Sequence, residues 1–144
     1  MEKLQELYES TKLITFQVKS QYPYLQDKRG EGLFDTLIGA YLLNPLKNDY
    51  SVTDIANEHL GMLIPERSRL LEKLSLVGGR EQKPEEFKEY AGYMSLIPFL
   101  AEPILEQKLK ETQMSDLFYQ IEMPLSYILY AMETKLYVNT VSVL

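Results

Sequence analysis

Phe34-Asp-Thr-Leu-Ile-Gly-Ala-Tyr-Leu-Leu-Asn-Pro45 holds one complete element between a start and a stop signal. Leu33-Phe34 reads as a short extended stretch. Asp35 or Thr36 can then cap a helix, because a side-chain oxygen there accepts from the otherwise unpaired N–H groups of the first turn. Leu37, Ile38, Tyr41 and Leu42 recur at helical spacing and are expected to form the buried stripe. Asn44-Pro45 ends the element, since proline cannot continue a helix. Asp35 invites a catalytic reading, but a carboxylate at this position is better placed to cap.

Upstream, Lys12-Leu-Ile-Thr-Phe-Gln-Val18 is β-branched and aromatic and predicts a strand. Residues 19–28 read as a helix or turn with Pro23 near its start, and Gly30 and Gly32 bracket a loop. Leu4, Leu7 and Tyr8 share a face of a short amphipathic helix over residues 1–9. Downstream, Ser51-Val-Thr-Asp54 is a capping-box start with Asp in place of Glu. Its helix buries Val52, Ile55 and part of His59 and stops at Gly61. Residues 62–83 read as a loop with a helical turn or two around Arg67–Leu74. Pro84-Glu-Glu opens a helix, with proline where its missing N–H costs nothing. Phe87, Tyr90, Met94, Ile97 and Ala101 line its apolar face, and Pro98 and Pro103 should kink or restart it. Ser115 can cap a last helix with Phe118, Ile121, Leu125, Ile128 and Met132 on one face and a bend at Pro124. Tyr137–Val143 leans toward β-structure.

One strand, or at most two or three, stands against five helices. A lone strand leaves its ladder groups unpaired. Either the chain is nearly all-α, or its strands pair with others that belong upstream.

With 144 residues, 45% hydrophobic and 25% charged, the chain can bury a real core as one domain. No apolar run reaches the length of a membrane span, and the acidic, amphipathic start is not a signal peptide. The absence of cysteine excludes disulfides and thiolate metal sites and fits a cytoplasmic setting. Fifteen basic residues are scattered among twenty-one acidic ones, for a net charge of −6. Phosphate contact supplies most non-specific nucleic-acid affinity, so this balance predicts weak or no DNA binding by the chain alone.

Read in order with a second block, Ile121-Glu-Met-Pro-Leu-Ser-Tyr-Ile-Leu-Tyr-Ala-Met-Glu133, the opening stretch resembles the family A DNA polymerases, the bacterial DNA polymerase I group. The first block resembles the helix in the middle of the 3′–5′ exonuclease domain. The second resembles the long helix that leaves that domain for the polymerase thumb. The resemblance runs from about residue 12 to residue 140. It implies a ribonuclease H-like α/β fold, N-terminally truncated and so predominantly helical. Residues 1–112 are then a partial, degenerate exonuclease-like domain and residues 113–144 the connecting helix. The palm and fingers are missing, so the chain itself cannot copy DNA.

In that family, acidic residues on a central sheet hold two divalent metals about 4 Å apart that clamp the attacking and leaving oxygens. Hard cations need several converging oxygen ligands. The resemblance places the first motif, Asp-x-Glu, several dozen residues before Lys12, and hence Met1 inside a longer gene. For the second motif, Asn-x-x-x-Asp, it puts Gln17 and Gln21 at the two positions. For the third, Tyr-x-x-x-Asp, it supplies Tyr90 but sets Met94 in place of the aspartate. Neutral glutamine and thioether are poor magnesium ligands. The resemblance thus implies a proofreading site with no intact catalytic residue, no metal and no cofactor in this piece, with magnesium belonging to the intact polymerase. Some members, notably from Gram-positive bacteria, keep such a disabled domain as a scaffold.

Other conspicuous residues have plainer readings. His59, the single histidine, has no cysteine or second histidine to share a metal. Glu85, Glu86 and Glu89 suit the positive end of a helix. Glu122 and Glu133 are too far apart in sequence to suggest a pair. Gly78-Gly79 lacks a phosphate-loop pattern and reads as a flexible turn. Most of the eleven tyrosines, without basic neighbours, read as amphipathic packing residues, Tyr90 among them.

The expected function is therefore a scaffold within a DNA polymerase of replication and repair, whose DNA contacts belong to the intact protein. Two alternatives stand: an exonuclease rescued by upstream acids in the full protein, or an independent helical interaction module. Self-association through exposed apolar surface and no membrane contact complete the expectations.

Overall fold

Two β-prone tripeptides pair in parallel, and the described residues are otherwise mostly helical. The computed structural model describes Lys3, Glu6, residues 11–25 and residues 32–143, with side chains described as far as Leu136. Strand β1 (Leu13–Thr15) lies beside β2 (Leu33–Asp35), with Leu13 opposite Leu33 and Thr15 opposite Asp35. The predicted strand over residues 12–18 is thus shorter than its β-branched run. It ends at Thr15, and two single 3₁₀ turns follow, Val18–Ser20 and Tyr22–Tyr24. Most of the amphipathic helix expected over residues 1–9, and the loop between Gly30 and Gly32, lie outside the described residues.

From β2 the chain passes directly into helix α1 (Thr36–Leu43). Asp35 is its N-cap and accepts from the Leu37 N–H at 2.9 Å. The same carboxylate accepts from the Gln17 N–H at 3.0 Å and the Val18 N–H at 2.7 Å. It is 2% exposed. One side chain therefore closes the start of α1 and the turn after β1 together. Gln17 sits at φ 64°, a left-handed conformation that L-residues rarely adopt. The hydrogen bonds from its own N–H and its neighbour's to Asp35 hold it there. The Thr36 hydroxyl adds a bond to the Thr15 carbonyl at 3.0 Å.

The buried face of α1 differs from the expected stripe. Thr36, Gly39 and Ala40 face inward, whereas Tyr41 is 46% exposed and Leu37, Ile38 and Leu42 pack at the flanks. The cause is close approach: a Cβ on Gly39 would stand 3.7 Å from both Leu105 and Phe34. Small residues admit the neighbouring helix, and the larger ones move to the sides.

Helix α2 (Val52–Leu60) has both halves of its capping box, Ser51 with Asp54, and ends at Gly61 with φ 64°. Helix α3 (Arg67–Leu70) is one turn. Helix α4 (Leu76–Gln82) then runs through Gly78-Gly79, where the sequence predicts a loop. Ser75 caps it by accepting from the Gly78 N–H. At Gly79 a Cβ would come within 2.9 Å of Leu71, so the bare backbone is what lets α4 lie on that leucine. Packing here outweighs the low helix propensity of glycine.

Helix α5 (Pro84–Glu111) begins at its proline as expected and does not restart at Pro98 or Pro103. Ile97, Ala101, Leu105 and Leu109 are fully buried along it. After Met114 the chain turns helical at Ser115, which is the first helical residue and not a cap. A π-helical segment, Leu117–Glu122, precedes α6 (Met123–Val143). Pro124 offers no N–H to the preceding turn, and the wider ladder absorbs that loss. The wider turn rotates everything beyond it. The buried series is Phe118, Met123 and Ser126, with Tyr127 and Tyr130 packed against the core. The step from 118 to 123 is five residues, not the four an α-helix would use. Ile121, Leu125, Ile128 and Met132, expected inside, therefore stay 55%, 39%, 52% and 53% exposed. Residues 137–143 continue α6 and form no strand.

The core joins these parts. The rings of Phe34 and Phe118 lie 4.7 Å apart. Tyr22 packs against Tyr127 and Tyr130, and its hydroxyl meets the Ser126 hydroxyl at 2.7 Å. Phe34 and Phe118, both fully buried, each contribute roughly 1.5–3 kcal/mol from apolar burial.

Replacing Asp35 with alanine should strand three N–H groups, that of Val18 buried and those of Gln17 and Leu37 partly so, and cost about 3 kcal/mol. Asp35→Asn, which keeps an acceptor oxygen, should cost less. Urea denaturation checks both; an alanine variant as stable as the original contradicts the double-cap assignment.

Candidate functional site

Helix α5 carries Tyr90, Tyr93 and Met94 at i, i+3 and i+4, so they share one face. That face borders a cleft of about 550 Å³. The first turn of α2 supplies Ser51, Val52 and Thr53, with Tyr50 just before it. The segment entering α3 supplies Ile64 through Ser68, and Phe16 closes the cleft from the end of β1.

The cleft is aromatic and nearly free of charge. Its carboxylate is Glu66, adjacent to Arg67. The Arg67 guanidinium donates to the Leu74 carbonyl at 3.0 Å, and the Ser68 hydroxyl donates to Glu66 at 3.3 Å. Among the described residues, no group of three or more His, Asp or Glu side chains converges on a point that could hold a metal. Tyr93 donates its hydroxyl to Glu89 at 3.4 Å. Lys47 stands 4.8 Å over the Tyr50 ring and is paired with Asp54 at 2.8 Å and Glu58 at 2.6 Å. Burial pushes the Asp54 carboxyl up, but the Lys47 ammonium and the Ser51 hydrogen bonds together outweigh it and hold the group below the usual carboxylate value. Burial, followed by the Glu58 charge, pushes the Tyr50 phenol up.

The structure brings together two of the four positions to which the resemblance points. Tyr90 and Met94 both line the cleft. Gln17 and Gln21 do not line it. Gln17 is exposed at the left-handed corner after β1, and Gln21 is half-buried between the two 3₁₀ turns, donating to the Ser20 hydroxyl at 3.1 Å. Asp35 is spent on backbone N–H groups; burial pushes its carboxyl up, against the pull of bonds from Val18, Gln17 and Leu37. It does not line the cleft. Sequence reading missed Phe16, Tyr50, Tyr93 and the Glu66–Arg67 pair. The Tyr90/Tyr93/Met94 spacing carried a signal for Tyr93, whereas Phe16 and Tyr50 arrive from distant segments.

His59, at the end of α2, meets Lys108 of α5 through Nδ1 at 3.0 Å. It lies away from the cleft lining and serves the α2–α5 contact. Burial first, and the Lys108 ammonium second, hold the imidazole below 6.5, against a smaller opposing pull from Glu58. No helix of the described residues is long and apolar enough to cross a membrane.

Compared with protein-family models, with curated proteins and with solved structures, the chain matches none.

The His59 geometry sets a pH dependence. The folded state favours the neutral ring, so the unfolded chain binds more protons as pH falls through the histidine range. The stabilisation is complete above 6.5 and is lost as pH drops toward the lower folded value. Urea midpoints measured at stepped pH should rise through this window, and His59→Gln should flatten the rise. An equal slope in the variant contradicts the assignment.

Proposed function

We infer that this chain is a vestigial 3′–5′ exonuclease-like domain of a family A DNA polymerase, joined to the helix that leads toward the thumb. Its role is to support the polymerase mechanically. The finer assignment of a ribonuclease H-like fold belongs to the same reading. The observation that carries it is the character of the cleft beside Tyr90 and Met94. On this reading Tyr90 and Met94, two of the four positions that correspond to the family's metal site, border a cleft whose lining also includes Phe16, Tyr50, Tyr93 and a single acid, Glu66, beside Arg67. Two dications brought there would meet almost no neutralising charge.

Two further features agree with this reading. The two resembling blocks contribute to one core, through Phe34 on β2 and Met123 at the start of α6. The parallel pairing of β1 and β2 also fits a piece of a larger α/β sheet, because parallel strands are characteristically covered on both faces in multi-stranded sheets.

The test is a nuclease assay on 3′-labelled single-stranded DNA with magnesium and then manganese. The expected result is no EDTA-sensitive degradation above the background of a mock purification. Clear metal-dependent trimming from the 3′ end overturns the reading.

The exposed face of α6 favours a second reading, a helical interaction module. Leu125, Ile128, Leu129 and Met132 form a stripe turned away from the core, and contiguous apolar patches of this kind mark association surfaces. Sedimentation velocity over a wide concentration range separates the two. Concentration-dependent association abolished by Ile128→Glu supports a module. A monomer at every concentration rejects it as a self-associating unit.

A further inference from the structure

We propose that the aromatic cleft is a binding site for a small organic cation, one carrying a quaternary or protonated tertiary amine. Four aromatic residues border the cleft: Phe16, Tyr50, Tyr90 and Tyr93. Among the described residues, none of these four rings packs ring-to-ring against another aromatic; those contacts link Tyr22 with Tyr127 and Tyr130, and Phe34 with Phe118 and Tyr119. The cleft rings are therefore not consumed by mutual stacking. An aromatic face carries negative potential and attracts a cation held within about 6 Å of its centre. Rings gathered round one space are the means by which methylated ammonium groups are recognised, because such groups cannot donate strong hydrogen bonds and rely on ring faces instead.

The charge pattern selects a cation over an anion. Arg67 is the basic residue of the lining, and its guanidinium is engaged by the Leu74 carbonyl and adjoins Glu66. The Tyr93 hydroxyl lies 3.4 Å from the Glu89 carboxylate, a negative charge beside that ring. The chain as a whole carries −6, a field that repels phosphates and draws cations. Lys47 already lies 4.8 Å over Tyr50, so Phe16, Tyr90 and Tyr93 are the rings left to meet a ligand. The volume, about 550 Å³, is that of a site for a small organic molecule. Met94 adds a soft, polarizable wall suited to N-methyl groups.

Choline and its neutral carbon isostere 3,3-dimethylbutan-1-ol test the proposal, since they differ in charge and hardly in shape. Each is titrated into the full chain and followed by calorimetry and by NMR shifts of the tyrosine rings. Choline should bind saturably, and the isostere should bind at least about tenfold more weakly. Tyr93→Leu, which keeps apolar bulk but removes a ring face, should weaken choline severalfold while leaving the melting temperature close to the original. Equal affinities for the two probes would show an apolar cavity with no preference for charge and overturn the proposal. So would the absence of saturable choline binding in a protein whose melting curve shows it folded. Displacement of bound choline by a short oligothymidylate at lower concentration than choline itself would assign the rings to nucleobases and equally overturn it. None of these outcomes depends on whether the chain trims DNA, so this proposal and the polymerase-domain reading can fail separately.

Discussion

The structure turns on a buried carboxylate. Asp35 accepts from Gln17, Val18 and Leu37 backbone N–H groups within 3.0 Å, and these three donors come from two segments that a six-residue sheet of two strands and the Thr36–Thr15 hydrogen bond also join. A helix cap alone is worth about 1 kcal/mol. This one also fixes the corner at which the chain leaves β1, holding Gln17 in a left-handed conformation that its own preferences oppose. The corner in turn presents Tyr22 to α6, where it meets Ser126, Tyr127 and Tyr130. A single acid thus links the sheet, the first helix and the last one. Its deep burial and full set of donors explain why it serves architecture and not chemistry.

A second constraint is the π-helical turn at Leu117–Glu122. Without it, Phe118 and Leu125 would share a face, and the apolar residues of α6 would form one inward stripe. The widened turn instead brings Met123 under Phe118 and leaves Leu125, Ile128 and Met132 outside. The helix is consequently apolar on two sides. Its inner side is accounted for by the core. The outer side suits either the remainder of a polymerase, as proposed, or an associating partner.

What could be read in the sequence was mostly what is settled locally. The Asp35 cap, the stop at Asn44-Pro45, the Ser51–Asp54 box, Gly61 and the proline start of α5 are all present, because each depends on chemistry within a turn of itself. The failures are non-local. Gly78-Gly79 reads as a break until Leu71 is seen to need the space. The stripe of α1 is misplaced because α5 approaches through Gly39 and Ala40. The face of α6 is misread because a change of helical period leaves no clear composition signal. In the candidate site, Tyr90, Tyr93 and Met94 follow from spacing on one helix, while Phe16 and Tyr50 enter only through the way β1 and α2 are packed.

The functional account rests on a cleft built of rings and a thioether where paired dications would require several acids. Manganese titration followed by electron paramagnetic resonance addresses that point most directly, because it counts free and bound ions without any need for turnover. The account predicts that the free-ion signal follows added manganese one for one at micromolar protein. Saturable uptake of two ions per chain, lost on Glu66→Gln or Asp35→Asn, would contradict it.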